Sequence, residues 1–239
     1  MNIAFLCTGE GSFLKFIYLN LSLLDRVDKV FLFTDRVCGV YNDLHNKIES
    51  KIFLNNSRLE KNDMEFEKSA CQWLFDNEVH YVFLSCNKIL KYELLKNYGE
   101  DNNRMFNCHP SLLPRLKGMN AVHRSFFDGE KYYGASIHRV TREVDGGEVL
   151  GSCVIAKRDQ KFEEYKHRLF VNQAVLFLDF IYKISIEGIK INLDSSINGV
   201  KMNEGFYPKL SIDIQKVKYL NNGDEKYGLW NFVKQGVKI

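Results

Sequence analysis

Two short stretches hold side chains whose types and spacing could do chemistry. The first reads Phe106-Asn107-Cys108-His109-Pro110-Ser111-Leu112-Leu113-Pro114. The chain has 3 prolines, and two of them bracket this stretch. Pro110 cannot continue a central strand and restricts His109 to extended backbone. A strand therefore ends here. Side chains alternate along a strand, so Asn107 and His109 share a face. An amide donor beside an imidazole can polarise a carbonyl and stabilise growing oxyanion charge. A structural Asn and a surface His would satisfy the same pattern if the stretch stood alone. The second stretch is Val144-Asp145-Gly146-Gly147. Asp before two glycines is ordinary turn chemistry. Folded against His109, that carboxylate would raise the imidazole pKa and could take a proton from an incoming amine. A third, weaker signal is the Gly9–Ser12 turn, whose Gly9, Gly11 and Ser12 could meet a phosphate at a helix N-terminus or simply make a tight turn.

These residues need a frame. Apolar runs at Asn2–Cys7, Val30–Phe33, Lys51–Leu54 and Tyr81–Leu84 alternate with helical patterns after Ser12, over about 63–76 and over Leu90–Tyr98. Short apolar runs between amphipathic helices mark βαβ units and a mostly parallel sheet with helices on both faces. The spacing predicts such an α/β sheet from Met1 to about His109. Such sheets place their sites at the carboxyl edge, where Asn107 and His109 fall. Tyr132–Val140 and Glu148–Ile155 read as longer, antiparallel strands, and Phe162–Glu187 as one long helix. We expect a catalytic domain over 1–188 and a C-terminal extension of strands and loops over 189–239, serving substrate binding or dimerisation.

Composition narrows the partners. Lys+Arg is 33 and Asp+Glu is 30, a net charge of +3. That is too weak to name nucleic acid. No uninterrupted apolar run approaches the ~20 residues of a bilayer span, so no membrane partner is expected. The opening MNIAFLCTGEGSF has no basic n-region or cleavage site, so no secretory signal is expected. The 6 cysteines form no C-x-x-C pair, which predicts reduced thiols, no metal and a cytoplasmic protein.

Taken together, Asn-x-His-Pro-Ser-Leu-Leu-Pro and Asp-Gly-Gly resemble the folate-dependent formyltransferases. The likeness runs from Met1 to about Gly188 and takes in Asn2–Leu14, Asn87–Leu90 and Gly134–His138. It implies a Rossmann-like formyltransferase fold and 10-formyltetrahydrofolate as co-substrate. It also implies Asn107, His109 and Asp145 as catalytic residues, and a homodimer. Asn87, Lys88, Ile89 and Leu90, with Val140 and Val144, would hold the reduced folate.

The family splits by acceptor. Phosphoribosylglycinamide formyltransferases usually carry Asn where this chain has Phe13. They also carry a Glu-His pair where it has Gln173-Ala174. Losing that carboxylate removes a charge-assisted contact worth about 1.5–3 kcal/mol. The chain also continues past Gly188 with Phe206-Tyr207-Pro208-Lys209-Leu210, similar to a stretch in sugar N-formyltransferases. The reading is therefore formyl transfer to a nucleotide-linked amino sugar, best dTDP-4-amino-4,6-dideoxyglucose, for O-antigen or surface-glycan synthesis. Lys88, Arg115 and Lys117 would meet its diphosphate, and Phe206 and Tyr207 its base or sugar. Two alternatives stand beside it: the phosphoribosylglycinamide enzyme of purine synthesis, and a non-catalytic folate or nucleotide-sugar binder.

Overall fold

A computed structural model describes residues 1–53, 60–86, 88–188, 204–207 and 209–218. These divide into two compact units. The first comprises Met1–Tyr18, Asp25–Asn107 and Arg139–Gly147; the second comprises Leu19–Leu24, Cys108–His138 and the chain from Glu148 onward.

In chain order the elements are β1 (Asn2–Cys7), α1 (Ser12–Leu19), β2 (Lys29–Thr34), α2 (Gly39–Leu44), β3 (Glu49–Ile52), α3 (Glu60–Asp76), β4 (Tyr81–Ser85), β5 (Met105–His109), α4 (Ala121–Phe127), β6 (Tyr132–Arg139), β7 (Val149–Ala156), α5 (Phe162–Glu187) and β8 (Gly205–Tyr207).

The first unit is built on parallel strands in the order β3-β2-β1-β4-β5. β1 is buried from Ile3 to Cys7, which is why it reads as a continuous apolar run rather than an alternating one. Phe5 lies opposite Phe83, and Phe83 opposite Phe106; their ring centroids are 5.3 and 5.8 Å apart. α3 turns Phe66, Ala70 and Leu74 into the core, and Trp73 meets Phe31 edge-on at 5.7 Å. The expected helix at Leu90–Tyr98 forms, starting at Glu93 and continuing as a π-helical turn over Leu95–Glu100. The reason for that start is Glu67 of α3, which is 1% exposed and accepts from the backbone N–H groups of Lys91, Tyr92 and Leu95. A buried carboxylate on those free donors sets where the helix begins.

In the second unit β6, β7 and β8 form an antiparallel meander. α5 matches the long helix expected from the spacing. Glu163 and Glu164 suit its positive N-terminal end, and Gly188 ends it at φ +67°. By length and composition α5 could pass for a membrane span, against the expectation drawn from uninterrupted runs. However, 72% of its apolar window is buried inside the protein, as in a core helix.

Its buried polar residues each have a partner. Arg168 donates to Ala156 O and Glu204, and Asn172 to Arg168 O. Asp179 accepts from the N–H groups of Ser211 and Ile212 and pairs with Lys183. Asn20 exchanges two hydrogen bonds with the backbone of Lys218. The described part of the extension is thus tied to the second unit at three places by buried side chains.

Candidate active site

β5 carries the amide and the imidazole. Asn107 is half-buried and is the last residue of the first unit; His109 is 6% exposed and ends the strand in the second unit. Two residues apart on one strand, they share a face as the spacing predicts.

The loop that follows orients the imidazole. His109 Nε2 lies 2.9 Å from Leu116 O. A carbonyl only accepts, so Nε2 carries the proton, and in the neutral ring Nδ1 bears the lone pair. The loop is anchored by Leu113 N–H, which donates to Ser136 Oγ at 3.0 Å, with Ser152 Oγ 3.2 Å further on.

Asp145 lies in the first unit, as Asn107 does. It is half-buried, at φ +52°, a left-handed conformation that Asp tolerates better than most residues. Its loop is pinned where it begins. Val140 N–H donates to Met105 O and Arg139 to Asn103 O, each at 2.9 Å. Gly147 follows, where a Cβ would come within 2.0 Å of Arg139 O; only glycine fits. The second glycine of Asp-Gly-Gly is therefore a close-packing requirement.

The other expected site residues divide. Leu90 is buried in the core of the first unit, Val140 packs against that core, and Ile89 and Val144 are 58% and 45% exposed. Asn87 lies outside the described residues. The Gly9–Ser12 turn joins β1 to α1. Gly11 has φ +59°, and a Cβ there would strike Val40; Ser12 is exposed and begins the helix.

Two of the three cations expected at a diphosphate are already balanced. Lys88 Nζ lies 3.1 Å from Asp63 and 3.6 Å from Asp35, above the Phe66 ring. Arg115 pairs with Asp128 at 2.7 Å and with Glu130 at 3.6 Å. A diphosphate at either side chain would have to displace a carboxylate. Lys117 is half-buried, and its carbonyl accepts from Arg124. Phe206 and Tyr207 are half-buried on β8, opposite Cys153 and Ser152. Their backbone belongs to the sheet, as one of the strands expected in the extension. Reading by residue type missed Leu116, because it acts through its carbonyl, and Glu67, because nothing in its neighbourhood marks a buried carboxylate.

One charged cluster in the first unit has a pH signature. Burial opposes ionisation of Asp35, yet the two hydrogen bonds from Arg36 and the nearby Lys88 hold its carboxyl below the ordinary 3.8. A lowered carboxyl contributes stability that is present above the unfolded value and lost as pH falls through the folded one. Asp35→Asn is therefore expected to melt below wild type at pH 7, and the gap to close below about pH 4. Thermal melts across that range check it. A gap that persists unchanged into strong acid contradicts the assignment.

The chain is 27% identical over 152 residues to the phosphoribosylglycinamide formyltransferase of Haemophilus influenzae, covering 62% of this chain and 69% of that protein. It is 27% identical over 148 residues to the human trifunctional purine biosynthetic protein adenosine-3, covering 61% of this chain but only 14% of that much longer protein. The structure of phosphoribosylglycinamide formyltransferase from Bacillus halodurans superposes with a TM-score of 0.67 at 19% identity, over 77% of this chain and 95% of that one. At that identity the likeness establishes the Rossmann-like formyltransferase fold. The sequence profile of the formyl transferase family matches residues 1–178, well over half the protein, and with the amide, imidazole and carboxylate all present the chain belongs to that family.

Proposed function

We propose that this enzyme moves a formyl group from 10-formyltetrahydrofolate to a primary amine, with Asn107, His109 and Asp145 as its catalytic residues. The observation that carries the reading is Asn107 and His109 at the end of β5, with Nε2 of the imidazole bonded to a backbone carbonyl. Asn107 and His109 stabilise the negative charge that grows on the formyl oxygen as the amine attacks. Asp145 favours the imidazolium and accepts the amine proton, directly or through water. Ile89, Leu90, Val140 and Val144 supply apolar contact for the pteridine, and the Gly9–Ser12 turn a place for a phosphate of the acceptor.

Two acceptors are in play, each backed by its own observation. The names of the relatives favour phosphoribosylglycinamide. Gln173 favours a nucleotide-linked amino sugar such as dTDP-4-amino-4,6-dideoxyglucose. The Gln173 side chain is buried in α5 and donates its amide to Cys108 O at 2.6 Å, beside the catalytic residues in sequence. A carboxylate at that spot would face the carbonyl oxygen without a proton to share. The chain therefore lacks, at that position, the acid with which phosphoribosylglycinamide enzymes would meet the glycinamide end of their substrate. We take the sugar as the acceptor on this ground, in a cytoplasmic homodimer to which residues 189–239 contribute.

Incubation with 10-formyltetrahydrofolate and a panel of amines decides between them. Formylation of a dTDP-amino sugar, with phosphoribosylglycinamide untouched, is the expected result. The reverse assigns the enzyme to purine synthesis. Tight binding of both ligands with no formylated product removes the catalytic reading.

A further inference from the structure

We propose that Arg124 is a positioning residue for His109, acting through the carbonyl of Leu116; the link to turnover rests on the function proposed above. Leu116 sits at φ +55°, a left-handed backbone that a leucine adopts only under constraint. The constraint is visible. Arg124 Nη2 lies 3.0 Å from Leu116 O, 2.5 Å from Lys117 O and 3.4 Å from Gly118 O, so one end of a guanidinium gathers three consecutive carbonyls. Ser111 Oγ donates to Arg115 O at 2.7 Å and closes the loop from the other side.

The Leu116 carbonyl held in this way is the one that receives His109 Nε2 at 2.9 Å. Its position fixes which ring nitrogen carries the proton and how the ring is turned. Arg124 lies on the exposed face of α4, so it can be replaced without opening the core. All of these groups lie in the second unit. Among the described residues, the Arg124 guanidinium donates only to these loop carbonyls, and it does so from an exposed helix face.

The test uses the full chain labelled with 15N-histidine, with the His109 signals assigned by their loss in His109→Gln. Wild type is expected to show neutral His109 protonated at Nε2 alone. Arg124→Met is expected to show averaging between the two tautomers. It should lose about tenfold or more in kcat, with KM for either substrate changed less than about twofold, because a misplaced group costs rate rather than binding. Arg124→Lys, which keeps a donor for the carbonyls, is expected to recover most of the loss.

Wild-type His109 protonated at Nδ1 overturns the proposal. So does a folded Arg124→Met enzyme with native tautomer and native kcat. If wild type formylates no amine, the function proposed above fails, while the tautomer spectra still decide whether Arg124 orders the ring.

Discussion

Asn107→Ala is expected to lose about 10²–10³-fold in kcat, equivalent to about 2.7–4 kcal/mol of transition-state stabilisation. The argument is electrostatic. In the attack of an amine on a formyl group, the carbonyl oxygen gains charge that the ground state lacks. A fixed amide donor near that oxygen acts mainly in the transition state, so its loss falls on kcat and leaves KM nearly unchanged. Asn107 is well placed for this, half-buried on β5 two residues before His109. Its backbone lies opposite Leu84 in the parallel ladder, which does not depend on the side chain. The variant should therefore melt as wild type does. Asn107→Asp, equal in shape but acceptor-only when ionised, should fall at least as far. Steady-state kinetics beside a thermal melt checks both, and near-native turnover in either removes Asn107 from the mechanism.

Glu204→Ala is expected to lower the melting temperature by about 4–12 °C. Arg168 is 1% exposed, and its guanidinium donates to Ala156 O and to the Glu204 carboxylate, each at 3.0 Å. Burial pushes the guanidinium pKa down, the mark of a cation held away from water. Removing one partner of a buried pair costs about 3–5 kcal/mol, because the other charge stays behind. Glu204 is itself 29% exposed at its side chain, so water can reach the gap and the loss should be nearer 2–3 kcal/mol. For a protein of this size each kcal/mol moves Tm by about 2–4 °C. Adding Arg168→Met should recover part of the loss by removing the stranded charge. A melt within 1 °C of wild type would mean that the Glu204 contact does not help tie the extension to α5.

Much of the fold was legible in the residues. β1, β2 and β4 read as unbroken apolar runs because a parallel strand covered on both faces needs apolar side chains at successive positions. α5 emerged over its full length because 26 residues give a period time to show. α2 and α4 did not, since six or seven residues span barely two turns. The helix expected over Leu90–Tyr98 starts only at Glu93, because a carboxylate from α3, far back in the chain, holds the N–H groups of Lys91 and Tyr92.

The chemical identity of the proposed site lay in residue types and spacing. Asn107, His109 and Asp145 had to be an amide, an imidazole and a carboxylate, and Pro110 had to end the strand; these are covalent facts that no packing alters. Tertiary structure decided which nitrogen of the imidazole bears the proton, that Lys88 and Arg115 face carboxylates, and that Gln173 spends its amide on Cys108 O. Those outcomes depend on carbonyl directions and long-range pairings, and a backbone oxygen is the same in every residue until folding aims it.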